Sequence, residues 1–486
     1  MGKGPVNIIL VGFIVCAFAF SSSCAVNPVS GERELMLLSE EDEAKLGSKT
    51  DKEIVKQYGL YEDKELTPYV SGLGQKLAKV SHRPNLDYKF KVMDSAVVNA
   101  FAVPGGYVYL TRGILASLNN EAELAGVLGH ELGHITARHS AKQYSRAQVA
   151  QIGLGLGSIL SEAFRNYAGV LQAGVGMLFL SFSRDNEREA DDLGVEYSSK
   201  VGYDSSQMAE FFKTLERMNP GSHQSGLPGW FSTHPNPADR QGAVKRKTIE
   251  WQQKLALKSP KVEQKPFLNK IDGMVYGDDP RQGYVEDDIF YHPMLLFQFP
   301  VPTGWKVQNT PTLVNMISKN KDAVIQLRLS SDRSPRDEAQ RFVDSTRASV
   351  LQSGGTSVSG FQAYRVVSQI KTNDGVLQVM SLFIDKDKRT YVFHGYSSQK
   401  RFGDYRNTFS DTITGFRTPS DPAKMRRKPD VIKILYAKKP ATVRQALKGF
   451  GVKDGDLKKM AIMNGKDLND KVSGGTPFKT IVEGDR

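Results

Sequence analysis

The five residues His130-Glu131-Leu132-Gly133-His134 have the types and the spacing for metal chemistry. Asn120 is a capping residue with Glu123 three positions on, so a helix is expected to start there. Leu124, Val127 and Leu128 carry its apolar periodicity into the motif. Residues four apart on a helix lie about 40° apart around the axis, so His130 and His134 share a face. Two neutral imidazoles on one face can bind one Zn²⁺, and Glu131 projects to the side, where it reaches a water rather than the metal. The chemistry this spells is hydrolysis, with Glu131 taking a proton from that water and passing it to the leaving group.

A zinc site needs a third protein ligand. His139 falls about 180° around a continued helix from His130 and does not reach the same ion. The three-histidine extension of the motif would need Gly at 137 and His at 140, where Ala137 and Ser140 stand, so that branch is excluded. The candidate segment is Arg184–Tyr197, which carries Glu187, Glu189, Asp191, Asp192 and Glu196. On a helix Glu187 and Asp191 share a face, while Glu189 turns about 200° from Glu187. Ala190 and Gly194 are small enough to let this helix approach another closely. The pattern fits Glu187 on the metal and Asp191 behind it, orienting a ligating histidine. The other reading of the segment is a charge-rich solvated helix.

Around these stand the elements that must position them. Ser39 followed by Glu40–Glu43 marks a helix start, and Tyr69, Val70, Leu73, Leu77 and Val80 recur at helical spacing. Tyr88, Phe90 and Val92 alternate as in a strand, and Val97–Val103 and Tyr107–Leu110 flank a turn at Pro104-Gly105-Gly106. Val97–Val103 is expected at a sheet edge beside the cleft, where an extended peptide could add as a strand. Ala147–Leu160 and Ala168–Phe182 are apolar, glycine-rich and shorter than a membrane span, and they read as a helical hairpin over the cleft, at the membrane or in the core. Ser222–Asp239 reads as a Pro/Gly-rich loop.

His130–His134, then Ser183-Arg184 with Glu187-Arg188-Glu189-Ala190-Asp191, then Thr233-His234-Pro235 and Arg240, resemble the zinc metallopeptidases of family forty-eight, which include the CAAX prenyl proteases. Asn99-Ala100-Phe101-Ala102-Val103-Pro104-Gly105-Gly106 matches as well, and Asn27-Pro28-Val29 with Leu35-Met36-Leu37 matches the envelope-lipoprotein branch. The resemblance covers about residues 25–260. It implies an α+β fold with a mostly helical gluzincin-type domain and a small edge β-sheet. It implies ligands His130, His134 and Glu187 for one Zn²⁺ per chain, Glu131 as base, and His234 and Arg240 as further active-site residues. His234 or Arg240 would donate to the developing oxyanion, or His234 would close on the metal as a fourth ligand that keeps the enzyme latent. Asn99, Ala100, Phe101 and Ala102 are the expected substrate-binding strand. Unlike the membrane-embedded members, this chain has no convincing transmembrane helix in its body.

The rest of the chain sets the context. With 486 residues, 40% apolar and 24% charged, the composition is that of a globular protein of about three domains. Lys3, the apolar run Val6–Phe20 and Ser21–Ser23 read as a signal peptide over residues 1–23, and Cys24 as a lipidated first residue. Cys16 and Cys24 are the two cysteines, so no disulfide framework exists in the body. The expected organisation is a metallopeptidase domain over 24–270, a small α+β domain over 287–418, a linker over 419–430 and a basic LysM-like module over 431–486. Arg336–Val350 reads as a helix of the second domain, and His292 and His394 read as isolated surface or core histidines.

The formal charge is +12, with Lys+Arg 65 and Asp+Glu 53. Residues 424–486 hold 16 Lys+Arg against 7 Asp+Glu, whereas residues 4–423 hold 48 against 46. The excess belongs to the tail, as a tether to peptidoglycan or anionic lipid or as a solvated basic face. Nucleic acid is excluded as a partner, because no binding motif is present and export would separate the two. The expected function is a zinc endopeptidase of the periplasm or cell envelope, acting on unfolded or misassembled proteins. It would be held by its lipid, on the outer membrane if the cell has one. The competing reading is a non-catalytic, chaperone-like envelope scaffold with a glycan-binding tail.

Overall fold

The computed structural model describes residues 24–145, 181–218, 229–235, 239–330, 334–372 and 375–484. Residues 1–23 of the expected signal peptide, and nearly all of the two glycine-rich stretches, lie outside them. Cys24–Val26 pairs antiparallel with Arg33–Leu35 around a turn in which Asn27 Oδ1 accepts from the Val29 amide at 2.8 Å. Helix α1 (Glu40–Tyr58) starts where Ser39 caps it, with Asp42 reaching back to complete a capping box. It is followed by α2 (Leu66–Lys79).

A three-stranded sheet comes next: β1 (Lys89–Met93), β2 (Ala100–Val103) and β3 (Tyr107–Thr111), in the order β1-β3-β2. β1 runs parallel to β3, β2 runs antiparallel to it, and β2 stands at the edge. Gly105 and Gly106 form the expected turn at φ +82° and +95°, a region that favours glycine. The edge strand starts at Ala100 rather than Val97. The Asn99 carbonyl accepts from the Thr111 amide at 3.1 Å, and Thr111 Oγ1 lies against the carbonyls of Val97 and Asn99, so this approach is a side-chain-stapled loop. The same hydroxyl caps α3 (Arg112–Ser117).

Helix α4 (Glu121–Thr136) carries the histidine motif and is buried along nearly its whole length. Asn120 caps it as expected, but Glu123 reaches one residue further back, accepting from the Asn119 amide at 2.7 Å. Helix α5 (Arg184–Lys200), capped by Ser183, lies backbone to backbone against it. A Cβ on Gly133 would sit 3.0 Å from Ala190 Cα, and one on Gly129 2.9 Å from the Gly194 carbonyl oxygen. The small residues on both helices therefore set the approach that brings acidic side chains to the histidines. Helices α6 (Gln207–Met218), α7 (Trp230–Thr233), α8 (Arg240–Lys254) and α9 (Gln264–Ile271) complete this body.

The chain leaves this body at Tyr276 and returns at Asp430. The two segments lie side by side, with Val275 bridged to Val431 and the Tyr276 amide donating to the Asp430 carbonyl at 2.8 Å. Between them lie a meander of β4 (Tyr284–Glu286), β5 (Ile289–His292) and β6 (Phe297–Pro300), and a seven-stranded antiparallel sheet. That sheet is built from β7 (Lys306–Thr310), β8 (Leu313–Ile317), β9 (Ala323–Ser330), β10 (Ser349–Val358), β11 (Phe361–Thr372), β12 (Gly375–Lys386) and β13 (Arg389–Ser398), in the order β10-β11-β12-β13-β9-β8-β7. Helices α10 (Pro335–Thr346) and α11 (Phe402–Thr414) accompany it. The helix expected over Arg336–Val350 ends early, because Arg347 turns into the left-handed region at φ +53° and Val350 enters β10.

The C-terminal unit is β14 (Val431–Tyr436), α12 (Val443–Gly449), α13 (Leu457–Met463) and β15 (Pro477–Val482), with β14 and β15 paired antiparallel. Its basic character is partly spent inside the molecule. Lys424 pairs with Glu286, Lys433 with Asp272, Lys448 with Asp454 and Lys453 with Glu483, and Lys479 is fully buried.

Candidate metal centre

His130 and His134 project from one face of α4 with their Nε2 atoms 3.1 Å apart. What lies behind each ring fixes its tautomer. His130 Nδ1 sits 2.8 Å from Asp191 Oδ1 and donates to it, which leaves Nε2 with a bare lone pair. His134 Nδ1 lies 2.9 Å from His139 Nδ1, and His139 Nε2 lies 3.0 Å from Glu189 Oε2. The hydrogen bond from His139 holds the Glu189 carboxyl below its usual range, so Glu189 is an acceptor there. His139 donates to it and accepts from His134, and the His134 Nε2 lone pair also turns inward. Burial lowers the His134 pKa well below the ordinary imidazole value, which keeps that ring neutral.

Glu187, fully buried on α5, completes the set. Its Oε1 is 3.4 Å from His134 Nε2, and its Oε2 is 3.6 Å from His130 Nε2. Burial pushes its carboxyl upward, but the opposing influences, led by the charge of His234, outweigh that and hold it well below the usual range. His234 ends α7 and brings Nδ1 to 3.1 Å from Glu187 Oε1 and 3.2 Å from His130 Nε2. Burial lowers the His234 pKa, yet the charges of Glu187 and Glu131 raise it overall.

Among the described residues, His130, His134, Glu187 and His234 form one buried group whose ligating atoms lie within 4.8 Å of one another. Tetrahedral zinc bonds of about 2.0–2.2 Å place ligand atoms roughly 3.3–3.6 Å apart, and the contacts here run from 3.1 to 3.6 Å. In these tautomers two inward lone pairs stand 3.1 Å apart with no hydrogen between them, an arrangement that fits a cation. Glu131 adds a second sign. Both of its oxygens are buried without a hydrogen-bond partner among the described residues, burial pushes its carboxyl up, and Oε1 stands 3.6 Å from His234 Nε2.

Arg240, at the start of α8, donates through Nε to Asp191 Oδ2 at 2.7 Å and through Nη2 to Asp191 Oδ1 at 2.8 Å, and it approaches Glu187 at 3.4 Å. Its guanidinium lies 3.7 Å above the Phe212 ring. It is thus placed behind the ligands, holding carboxylates. On the edge strand, the Ala100 carbonyl faces His234 Nε2 at 3.4 Å, and Ala102, two residues on, presents its backbone on the same side. Phe101 instead stacks on Tyr109 at 4.9 Å in the core, and Asn99 lies in the stapled loop, fully buried.

Four neighbours escaped the sequence reading. His139 and Glu189 were set aside as ligands, and their contact behind His134 was missed because α4 was taken to continue past residue 137. It ends at Thr136, and Arg138 adopts φ +56°, which returns the chain towards the ligands. That turn is held by Glu43, which accepts from Arg138 Nε at 2.6 Å. The other two are aromatic: Trp230 stacks on His234 at 4.3 Å and Phe182 on His134 at 4.0 Å. A lone aromatic residue in a loop carries no local signal for such a contact.

Comparison with known proteins agrees with this geometry. The description Peptidase family M48 matches residues 64–248. The chain is 30% identical over 231 residues to the Beta-barrel assembly-enhancing protease of Escherichia coli O157:H7, an alignment covering 46% of this chain and 47% of that protein. It is 34% identical over 236 residues to the Mitochondrial metalloendopeptidase OMA1 of Schizosaccharomyces pombe, covering 46% and 65%. It is 30% identical over 179 residues to Metalloprotease YcaL of Escherichia coli (strain K12), covering 35% and 68%. The chain spans about half the length of the first of these relatives. No helix among the described residues is long and apolar enough to cross a membrane.

Proposed function

The chain belongs to Peptidase family M48, and on that premise we propose that it is a zinc-dependent endopeptidase of the cell envelope that cuts unfolded or misassembled proteins. The observation that carries this reading is the buried convergence of His130, His134 and Glu187 beside Glu131, whose oxygens take no hydrogen bond among the described residues. His130, His134 and Glu187 would hold the zinc, which would supply a Lewis acid to activate water and polarise a carbonyl. Glu131, desolvated and 3.6 Å from His234 Nε2, would take a proton from the attacking water and deliver it to the leaving amine. Asp191 and Arg240 hold His130 and Glu187 in place.

The substrate would lie along Ala100–Val103, whose outer edge has no strand partner among the described residues and would offer backbone hydrogen bonds to an extended segment. Such pairing ignores side chains, which suits unfolded polypeptide. The printed name of one relative, a protease that enhances β-barrel assembly, supports an envelope substrate class.

His234 brings its Nδ1 among the ligand atoms, so we read it as a fourth ligand that closes the site. Catalytic zinc sites keep one position open, so His234 would have to withdraw before a substrate carbonyl could enter.

Zinc content and cleavage of a permanently unfolded protein test the reading together. Glu131→Gln should retain zinc and lose activity by about 10²–10⁴-fold; a variant that cuts as well as wild type would overturn the mechanism. In the same assay His234→Ala should cut faster than wild type. A slower His234→Ala enzyme would move His234 to an oxyanion role.

A further inference from the structure

The tail of the chain reaches the start of the metal-binding helix. Lys479, in the middle of β15, is fully buried, and its ammonium leaves the C-terminal unit to enter the peptidase body. There Nζ donates to the carbonyls of Ala116 at 2.8 Å and Leu118 at 2.6 Å. These close α3, where the last carbonyls of a helix have no partner within it. The backbone of Lys479 is itself fixed: its amide donates to Asn464 Oδ1 at 2.7 Å, and its carbonyl accepts from Asn464 Nδ2 at 2.9 Å. Next to Asn464, Gly465 lies so close to the joint that a Cβ there would sit 3.2 Å from Asn119 Nδ2. The residues pinned, Ala116 to Asn119, are the short connection that launches α4.

The first turn of α4 answers this charge. Glu123 is 2% exposed and accepts from the Asn119 amide at 2.7 Å. Burial pushes its carboxyl up while the Lys479 charge draws it down; burial likewise pushes Lys479 down while Glu123 draws it up. Glu210 on α6 is a further charge that Glu123 feels. From Glu123 to His130 is seven residues, about 10.5 Å along a helix packed on all sides. Such a helix shifts as a rod, so its starting point sets where the histidines stand.

We propose that Lys479 is a positioning residue for the metal centre: the C-terminal unit is a wedge that fixes where α4 begins, and through it where His130, Glu131 and His134 stand. The proposal rests on the zinc site of the preceding section. Its readout is metal affinity as well as turnover, so it can be judged even if the chain proves to cut nothing.

The experiment uses the full chain with Lys479→Met, and with Glu123→Gln/Lys479→Met, which also removes the buried negative charge that Lys479 offsets. Zinc affinity is measured by chelator competition, kcat and KM on an unfolded protein, and Tm by calorimetry. Lys479→Met should release zinc about 10–100-fold more readily, as loss of supporting groups does at other metal sites. It should lower kcat with KM unchanged, because the substrate edge does not touch Lys479. The double variant should keep a Tm near that of wild type yet still bind zinc about tenfold more weakly, since the carbonyls of Ala116 and Leu118 remain unpinned. A folded double variant with wild-type zinc affinity would overturn the proposal, leaving Lys479 as filler. Failure of both variants to fold would also overturn it, making Lys479 a residue of the fold alone. Normal zinc behaviour in wild type without any cleavage would sink the peptidase reading and leave this proposal to the affinity data.

Discussion

The seven-stranded sheet and the C-terminal unit both follow the peptidase body in sequence, and they relate to it in opposite ways. The sheet has its own core, in which Phe290, Phe299, Phe393, Phe409 and Phe416 pack with Ile325 and Leu382. The C-terminal unit has a small core of its own around Leu447, Met460 and Phe478, but its first strand sends Ile432 and Ile434 into the core of the peptidase body with Leu124, Leu128 and Phe267. The nearer region is the more independent one. The chain leaves at Tyr276 and returns at Asp430 through hydrogen-bonded neighbours, so the sheet is an insertion between two halves of one body. Order along a chain therefore does not rank its parts by how much they matter to the site. Shared core does.

The largest effect should come from removing each region in turn. Replacing residues 278–428 with a short Gly/Ser loop should leave a soluble protein whose zinc affinity stays within about threefold of wild type, because Val275 and Val431 already face each other as the arms of a hairpin. Truncation after Asp430 should abolish soluble, zinc-binding protein, since it strips Ile432, Ile434 and Lys479 from the body. The reverse result, a soluble truncation and an insoluble loop variant, would break the comparison. Zinc stoichiometry and size-exclusion profiles decide it.

A smaller effect should separate the two regions by pH. His394 in the sheet is buried against Phe342, with Nδ1 2.8 Å from Ser381 Oγ. Burial, helped by the charge of Arg328, pushes its pKa down to about 3. The unfolded chain titrates near 6.5, so between about pH 6.5 and 3 the unfolded state binds more protons and the sheet loses stability as pH falls. At pH 5 the loss from this one histidine is about 2 kcal/mol. Calorimetry from pH 7 to pH 5 should show the sheet's transition falling, and His394→Asn should blunt that fall. If the transition of the peptidase body drops in step with it, the two cores are not independent.

The helix-borne part of the site was legible in the sequence. The capping Asn120, the apolar period and the four-residue spacing place His130 and His134 on one face whatever the rest of the chain does. The same arithmetic put Glu187 and Asp191 together on α5, with Ala190 and Gly194 to let α5 approach. It kept His139 off the ion, and His139 lies outside the grouped ligand atoms, but it missed the contact of His139 with His134, because the stop at Thr136 depends on Glu43 holding Arg138 from almost a hundred residues away. It misled at Val350, where a left-handed Arg347 ends α10.

The sequence by itself determined the metal-binding chemistry, because the spacing of His130, Glu131 and His134 is a property of one helix and its local hydrogen bonds. Only the tertiary structure decided that His234 Nδ1 comes to 3.2 Å from His130 Nε2, that His139 and Glu189 turn the His134 lone pair inward, and that Lys479 reaches the start of the helix from the far end of the chain. Those contacts join segments with no shared period, and they exist because a polar group buried away from water must find its partners inside the fold.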